Sequence, residues 1–482
     1  MTLRNGSSVP EASVPRLDPG EFRRAVVRET AAGKRIVALF GREVDGAVRL
    51  YAALGDDRAG TLSVVATDVA GRFPSLTPDC PQAHNFEREV HEQHGLRPEG
   101  HPWLKPLRAG HDGLYPFFPV EGNEVHEVAV GPVHAGLIDP GHFRLQCHGE
   151  KVLSLEIHLG YQHRGIEQAL AGGPDKRSPI LAESIAGDTA VGHALAHAQL
   201  MEALAGCEPP PRACALRAVA LELERVANHV GDLGALGADI AFLPTSAWFG
   251  RLRGEFLNLL VALSGNRYGR GLVRPGGVLQ DLPADAAADM VRRLGDARRE
   301  LSAVARYFFG SSSVRARLEG TGVLAHDTCE ELGLLGPVAR ACGLPRDVRT
   351  DHPGAGWRPR PIPVATASTG DVLARAQVRW VETERSTDFL LDLLPMLPEG
   401  PLRVPCGPPV PGGLAVSLVE GWRGEIAHAA VAGEGGRIVR YKVKDPSFQN
   451  WTGLAVALRG MQVSDFPLCN KSFNLSYAGH DL

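Results

Sequence analysis

The first quarter of the chain alternates hydrophobic and polar positions in short runs. Residues 61–68 alternate most regularly, which is typical of a strand with one buried face. Apolar runs at 35–40 and 48–54 also predict strands. Helices are predicted at 21–32 and 85–94, and a Gly-His-Pro sequence breaks the second one. This pattern predicts a small α/β unit.

After residue 124 the hydrophobic positions recur with the spacing of helices. Leu216, Val219, Leu223, Val226 and Val230 fall on one helical face. Long helices are predicted at 180–205, 211–236, 247–264, 284–307 and 371–394. Short strands are predicted before them at 128–130, 143–146 and 151–158, and after them at 414–419, 425–431 and 438–444. The second unit is therefore predicted to be a mainly α helix bundle with small β elements.

Together the two units predict an α+β fold class. The change of pattern between them divides the chain into four predicted segments. These are a flexible N-terminus at 1–20, a first domain at 21–113, a Pro- and aromatic-rich linker at 114–123, and a second domain at 124–482.

Composition excludes several classes of partner. The 482 residues are 44% hydrophobic and 22% charged, which fits a globular protein with a large core. The net charge is -4, with 51 basic against 55 acidic residues, so no binding to nucleic acid is expected. No apolar run approaches the ~20 residues of a membrane helix, and the first fifteen residues lack the pattern of a secretory signal. A soluble chain that docks on a membrane protein is expected.

The eight cysteines are scattered and form no CxxC pair, so neither a zinc nor an iron–sulfur site is visible. Most are expected to be buried as small hydrophobic side chains. No GxGxxG turn between a strand and a helix is present either, so no bound NAD is expected.

Two strings in the first unit resemble a known family. FEREV at 86–90 and GHPWLK at 100–105 are similar to the signature of the C-type, 30 kDa subunit of NADH-quinone oxidoreductase, the respiratory complex I. An acidic helix face followed by a proline turn would give the same residues in an unrelated protein.

Seven strings in the second unit extend the resemblance in the correct order. They resemble the D-type subunit of complex I and the large subunit of energy-converting nickel–iron hydrogenases of the formate hydrogenlyase type. The strings are GPVHAG at 131–136, DPGHFR at 139–144, LGYQHRGIE at 159–167, ELERVANH at 222–229, TGDVLAR at 369–375, EGWRGE at 420–425 and KDPSFQN at 444–450. The resemblance implies a fused C and D arrangement with the hydrogenase large-subunit fold.

The same resemblance implies where a nickel–iron centre would be held. The hydrogenase pattern supplies four cysteines, and this chain has Ala186, Thr189, Ser447 and Asn450 at those positions. Thiolates bridge nickel and iron in such centres, and oxygen ligands do not replace them. We therefore expect no nickel, no iron and no hydrogen turnover, and no cofactor bound by this chain.

In the D-type subunit of complex I the emptied metal site contributes to a quinone cavity. The analogous cavity here is expected to bind quinone, to bind another small acceptor, or only to couple conformational change. Quinone reduction consumes two protons, so acidic or basic side chains should converge on the acceptor. The candidates are His134, His142, His163, Arg164 and Asp188.

Further candidates lie on helices or turns. Glu222, Arg225 and His229 share a ~60° stripe of one predicted helix, using ~100° per residue. They predict either a proton-relay or coupling cluster, or an ion pair between helices. Arg274 precedes Pro-Gly-Gly, where hydrogenases carry an arginine that lines the active site, although a simple turn gives the same string.

His193 and His197 have the i, i+4 spacing of metal-binding helices. No third ligand is evident, so both are predicted to be core or interface histidines.

The function predicted from this resemblance is that of a peripheral-arm subunit of a complex I-like or hydrogenase-related membrane oxidoreductase. It would lie on the cytoplasmic face, and it would not be an enzyme by itself. The implied partners are an iron–sulfur small subunit of the B type, a membrane subunit of the H type, antiporter-like subunits and quinone. The alternative is a catalytically silent scaffold or coupling subunit, and an active hydrogenase is disfavoured.

Overall fold

The computed structural model describes residues 1–110, 115–134 and 138–482. The predicted domain boundary and the start of the linker fall in 111–114, and part of the string at 131–136 falls in 135–137, so both lie outside the described residues. The strands are β1 Thr2–Leu3, β2 Ser7–Pro10, β3 Arg35–Val44, β4 Ala47–Asp56, β5 Thr61–Val69, β6 Arg72–Pro74, β7 Arg97–Glu99, β8 Val125–Val130, β9 His142–His148, β10 Lys151–His158, β11 Val273–Arg274, β12 Gly277–Val278, β13 Gly413–Gly421, β14 Gly424–Ala432 and β15 Ile438–Lys444.

The helices confirm the α+β class with a mainly helical second part. They are α1 Pro19–Ala31, α2 His84–His94, α3 Ile166–Leu170, α4 Ser178–Glu183, α5 Ala190–Ala205, α6 Pro211–Asp239, α7 Leu243–Ser264, α8 Ala284–Gly310, α9 Ser312–Leu318, α10 His326–Glu331, α11 Gly336–Ala341, α12 Val348–Asp351, α13 Val372–Leu393, α14 Ser447–Ala457, α15 Phe466–Phe473 and α16 Tyr477–Asp481.

The three alternating runs of the first unit form an antiparallel sheet in the order β1-β5-β4-β3. One face of this sheet, including Leu50, packs on Val26 of α1 and Phe86 of α2. The period of two therefore places one set of apolar side chains under the helices and leaves the other set for the opposite face.

A second antiparallel sheet, in the order β15-β14-β13-β2, comes from the end of the chain and from residues 7–10. The sequence predicts a flexible N-terminus at 1–20, but the structure pairs β1 and β2 of this segment with strands of the two sheets. Val9 is buried opposite Leu414, and Leu3 opposite Leu62 extends the first sheet. The edges of β13 and β5 supply backbone partners that a sequence pattern of four residues does not show.

The two sheets pack face to face. Phe40, Tyr51 and Val64 of the first sheet share one apolar cluster with Leu418 and Ala429 of the second. The first unit and the end of the chain therefore have a common core.

The helix bundle covers the other side of the second sheet. α5 packs on β13 and β14, and α6, α7, α8 and α13 form the largest apolar cluster. The predicted helix at 180–205 is wrong in one respect, because it is split at 184–189 into α4 and α5. Arg164 donates to the carbonyl groups of Ser184 and Ile185, and Glu224 accepts from the first turn of α5, so tertiary contacts hold this break open.

The sheet β10-β9-β8 confirms the predicted entrance strands. Phe143 and Leu155 of this sheet share a cluster with Trp451 of α14, Phe466 of α15 and Tyr477 of α16. None of the helices within the described residues is both long and apolar enough to cross a membrane.

Candidate functional site

The break between α4 and α5 faces the tight turn between β13 and β14. That turn presents Trp422 and Arg423, and Arg423 Nη1 and Nη2 donate to the two carboxylate oxygens of Asp188 at 2.6 and 2.8 Å. The guanidinium also lies 3.9 Å from the centre of the Trp422 ring. The Arg423 side chain is buried, whereas that of Asp188 is 34% exposed. We call these two residues the Asp188–Arg423 pair.

Charge and burial act in opposite directions on this pair. Burial raises the pKa of the Asp188 carboxyl, but the Arg423 guanidinium outweighs it and the net pKa lies below its usual value. Asp188 is therefore an ionised acceptor near neutral pH. Among the described contacts, Arg423 uses four of its five N–H donors, three on Asp188 and Thr189 and one on the Asn474 carbonyl.

The first two positions of the hydrogenase cysteine pattern lie beside this pair. Ala186 and Thr189 are fully buried. Thr189 Oγ1 accepts from Trp422 Nε1 at 3.1 Å and from Arg423 Nη1 at 3.2 Å, and it donates to Asp188 Oδ1 at 3.0 Å. The threonine hydroxyl is thus committed to the protein.

The other two positions lie in the first turn of α14. Ser447 Oγ accepts from the Ser476 N–H at 2.9 Å. The Asn450 amide accepts from the Leu335 N–H at 2.9 Å and donates to the Leu335 carbonyl at 3.0 Å. Both side chains are fully buried, so they serve as internal backbone partners.

These residues do not fit a nickel–iron centre. The four positions offer a methyl group, two hydroxyls and an amide, and the polar ones are hydrogen-bonded within the chain. Soft thiolates are absent from the set. Within the described part of the chain, no group of three or more His, Cys, Asp and Glu side chains is arranged to hold a metal ion.

The entrance loop brings His134 and His142 together. His134 Nε2 lies 3.1 Å from the Gly141 carbonyl, and His142 Nδ1 lies 3.1 Å from the Gly131 carbonyl. Burial lowers the pKa of His142. Among the described residues no hydrogen bond, ion pair or ring contact joins either histidine to Asp188.

His163 and Arg164 lie at the C-terminal end of α16. Both are exposed, and His163 Nδ1 lies 2.7 Å from the Asp481 carbonyl. Arg164 donates to the carbonyls of Ser184 and Ile185 at 2.7 and 2.9 Å, directly before Ala186. The structure therefore places Arg164 next to the first position of the hydrogenase cysteine pattern.

The helix α6 candidates are fully buried and interact with several elements. Glu222 accepts from Arg225 Nε and Arg349 Nη1 at 3.0 Å each. Arg225 also donates to the carbonyls of Glu420 and Gly421, at 2.5 and 2.9 Å, directly before the turn that carries Arg423. The contacts exceed a simple ion pair between two helices.

The remaining members of this group come from α11, α13 and β13 and from the start of α12. Glu382 lies 2.8 Å from His229 Nε2 and 2.7 Å from Arg340 Nε, and Arg340 Nη1 lies 2.8 Å from Glu420. Burial raises the pKa of Glu420 to about 7. Burial also lowers the pKa of His229, against the attraction of Glu382. Asp347 accepts from Arg349 Nη2 at 2.6 Å. The group is called the buried ion-pair cluster below, and it comprises Glu222, Arg225, His229, Arg340, Asp347, Arg349, Glu382 and Glu420.

Arg274 is held away from the Asp188–Arg423 pair. Its Nη1 donates to Glu183 Oε1 at 2.6 Å, and Glu183 also accepts from the Gly271 N–H. Glu183 lies three residues before Ala186 in the chain, so the described contacts link the Arg274 side chain to the neighbourhood of the site through this carboxylate. Among the described residues it makes no direct contact with Asp188.

Two groups of residues lie outside the candidates that the sequence supplies. Arg423 is part of a matched string but is not itself predicted as a site residue, although a charged residue in a two-residue turn between apolar strands is an informative signal. His193 and His197 are predicted to be core residues, and the structure places His193 on Asp445 and His197 on Tyr441. No sequence pattern indicates which strand residues would meet them.

Comparisons with known proteins agree with both units. The family described as "Respiratory-chain NADH dehydrogenase, 49 Kd subunit" matches residues 239–408 and 403–481. The family described as "Respiratory-chain NADH dehydrogenase, 30 Kd subunit" matches residues 42–120.

Individual relatives span most of the chain. Formate hydrogenlyase subunit 5 of Escherichia coli (strain K12) is 29% identical, over 93% of this chain and 85% of its own. The carbon monoxide-induced hydrogenase of Rhodospirillum rubrum is 32% identical, over 72% of this chain and 97% of its own. NADH-quinone oxidoreductase subunit 4 of Thermus thermophilus is 29% identical, over 71% of this chain and 90% of its own.

Proposed function

Because the chain belongs to the family of the 49 Kd subunit of respiratory-chain NADH dehydrogenase, fused here to a 30 Kd-type unit, we propose that it is a peripheral subunit of a membrane oxidoreductase complex. In this proposal the Asp188–Arg423 pair receives a quinone or another small acceptor in place of a nickel–iron centre. The observation that carries the proposal is a partly exposed carboxylate, held by a buried guanidinium, beside the positions of the hydrogenase cysteine pattern.

The chemistry of the pair suits a carbonyl acceptor. Two-electron reduction of a quinone places negative charge on its carbonyl oxygens, and a fixed guanidinium N–H stabilises such charge. Arg423 has one N–H that no described contact uses. The ionised Asp188 accepts a hydrogen bond from the hydroxyl of the reduced product, so the proton itself must come from another group.

The proposed partners are those that the resemblance to complex I and to its hydrogenase relatives implies. An iron–sulfur small subunit would supply electrons, since the chain is proposed to bind no cofactor. A membrane subunit and antiporter-like subunits would couple the reaction to ion translocation. The complex would place this chain on the cytoplasmic face of the membrane.

A second candidate function is that of a coupling subunit that reduces nothing. The buried ion-pair cluster supports it, because Arg225 bonds the carbonyls directly before the turn that carries Arg423. A displacement of this turn would change the ion-pair cluster without any chemistry at Asp188.

Reduction of a soluble quinone analogue by the isolated complex, with an artificial low-potential donor, separates the two functions. Asp188→Asn keeps the size of the side chain but removes its charge, and His134→Ala tests the entrance loop. We expect at least about a hundredfold loss of rate for Asp188→Asn, the lower end of the effects of removing one group from an electrostatic site. The matched control is Asp281→Asn, which removes the charge of a 44% exposed aspartate that pairs with Arg212 at 2.6 Å.

The outcomes differ clearly. A lower rate of quinone reduction in Asp188→Asn, with an unchanged rate in Asp281→Asn, supports the acceptor site. An equal loss of rate in Asp281→Asn indicates general destabilisation. A complex that retains its iron–sulfur clusters but reduces no quinone would leave the coupling function as the better account.

A further inference from the structure

A chain of buried hydrogen bonds runs from α5 into the second sheet. His193 Nε2 lies 3.1 Å from Asp445 Oδ2, and His193 Nδ1 lies 3.1 Å from His428 Nε2. His428 Nδ1 lies 2.8 Å from the Tyr441 hydroxyl, which lies 2.9 Å from His197 Nδ1. All five side chains are at most 2% exposed. They are called the histidine–tyrosine chain below.

The available donors and acceptors require all hydrogen bonds of the histidine–tyrosine chain to be donated in one direction. The Asp445 carboxylate only accepts, so His193 must donate from Nε2 and, as a neutral ring, accept at Nδ1. His428 then donates from Nε2 and accepts the Tyr441 O–H at Nδ1. The Tyr441 oxygen in turn accepts from His197 Nδ1–H. Every bond is therefore donated toward Asp445.

The two ends of the histidine–tyrosine chain differ. Burial raises the pKa of Asp445, and the His193 hydrogen bond and the Arg423 charge bring it below its usual value. The Asp445 charge also acts to raise the pKa of Asp188, so this end lies within electrostatic reach of the Asp188–Arg423 pair. At the other end His197 Nε2 is buried and has no hydrogen-bond partner among the described residues.

We propose that the histidine–tyrosine chain is a proton relay, in which His197 takes up a proton and Asp445 delivers one to the acceptor at the Asp188–Arg423 pair. The proposal rests on the proposed function for the identity of the proton consumer. The direction of the bonds and the open nitrogen on His197 carry it.

The proton balance closes along the relay. A proton binds His197 Nε2, and its Nδ1 proton passes to the Tyr441 oxygen. The Tyr441 proton passes to His428 Nδ1, the His428 Nε2 proton to His193 Nδ1, and the His193 Nε2 proton to Asp445. One proton enters at His197, and the proton that arrives on Asp445 passes to the reduced acceptor, which restores the Asp445 carboxylate. Burial holds the pKa of His428 well below its usual value and lowers that of His197 to about 4. The proton therefore does not rest on either ring, and its uptake at His197 must be concerted with the shifts along the relay.

A purely structural role accounts less well for these residues. Five buried polar groups replace apolar contacts between α5 and the sheet, in a region where the neighbouring cluster is apolar. The open nitrogen on His197 is where a relay needs a free acceptor.

The first test needs no activity. Nitrogen-15 shifts of labelled histidines in the full chain report which ring nitrogen holds the proton, with His428→Gln and His197→Gln for assignment. We expect the Nε2–H form for His193 and His428, and the Nδ1–H form for His197. The Nδ1–H form at His428 would reverse one bond and overturn the relay, whatever the complex reduces.

The second test uses the complex. Tyr441→Phe keeps the ring and removes the hydroxyl that joins His428 to His197. Quinone reduction should slow by at least about a hundredfold, as for the loss of a general acid or base. Its solvent deuterium effect should rise, because proton delivery becomes the slow step.

Tyr51→Phe is the matched control. Tyr51 lies in the first sheet, and its hydroxyl bonds Glu11. An unchanged rate and isotope effect in Tyr441→Phe would overturn the relay. A wild-type complex that reduces no quinone would contradict the proposed function and leave the relay to be decided by the ring-nitrogen shifts.

Discussion

At the residue scale, the four positions of the hydrogenase cysteine pattern are ordinary parts of the protein interior. Asn450 shows this most clearly, because its amide pairs with both backbone groups of Leu335. Thr189 and Ser447 likewise bond to neighbouring side chains or backbone. Each of these polar positions contributes to stability in its own right.

Asn450→Ala therefore tests the structural use of such a position. It leaves the N–H and the carbonyl of Leu335 without their partner, which costs about 1–3 kcal/mol for each buried group. Urea unfolding should show a lower free energy of unfolding. The control is Asn266→Ala, where a half-buried amide accepts a single N–H from Tyr268, and a smaller loss is expected. Equal losses would contradict this account.

At the element scale, the buried ion-pair cluster joins α6, α11, α12, α13 and β13. Arg340 bonds Glu382 of α13 and Glu420 of β13 at 2.7 and 2.8 Å, and Arg349 joins α12 to Glu222. Breaking a buried pair leaves an unpaired charge in the interior, which is far worse than breaking an exposed one. The elements around the Arg423 turn are therefore held in one arrangement.

Arg340→Met should lower the free energy of unfolding by about 3–5 kcal/mol, because Glu382 and Glu420 lose a common partner. Arg292→Met is the control on α8, where the arginine is 67% exposed and pairs with Asp289. A change within about 0.5 kcal/mol is expected there. Chemical denaturation of both variants measures the difference, and a neutral Arg340→Met would show that the cluster does not stabilise the fold.

Glu224 gives a pH dependence at the junction of α5 and α6. It accepts from the N–H groups of Val191 and Gly192 at 2.7 and 3.1 Å, and burial raises its pKa from 4.5 to about 8. The folded state therefore keeps this proton to higher pH than the unfolded state does. Its contribution to stability is complete below the unfolded pKa and is lost as pH rises through the folded value.

The free energy of unfolding of the wild type, relative to Glu224→Gln, should therefore fall between about pH 5 and pH 8, by up to about 1.4 kcal/mol per unit. The control is Glu255→Gln on α7, whose side chain is 40% exposed. Denaturation curves across this range measure the difference. A constant difference between wild type and Glu224→Gln would contradict the raised pKa.

At the scale of the whole molecule, the two units are joined through their sheets. The cluster that contains Phe40, Tyr51, Leu418 and Ala429 belongs to both, and β2 adds the start of the chain to the edge of β13. Separating the units would expose this apolar face to water.

Calorimetry should accordingly show one cooperative transition for the full chain. Val9→Asp should lower its midpoint without splitting it, because Val9 is buried between the two sheets. Ser13→Asp is the control, since that side chain is exposed on the same segment. Two separated transitions in the wild type would contradict a shared core.

The sequence predicts the helices and strands of this fold better than it predicts the tertiary contacts between them. The alternation at 61–68 and the spacing from Leu216 onward are local signals, and both elements form as expected. The split at 184–189 and the pairing of residues 7–10 depend on distant partners, so no local pattern reveals them. The same is true of the site, where the lost cysteine pattern is readable but the contacts of Arg423 and His428 are not.

One measurement tests the central claim most directly. Nickel content and quinone reduction are determined on the same preparation of the wild-type complex and of Asp188→Asn. The account predicts quinone reduction with substoichiometric nickel, and a clear loss in the variant. Stoichiometric nickel, or a rate that Asp188→Asn leaves unchanged, would contradict it.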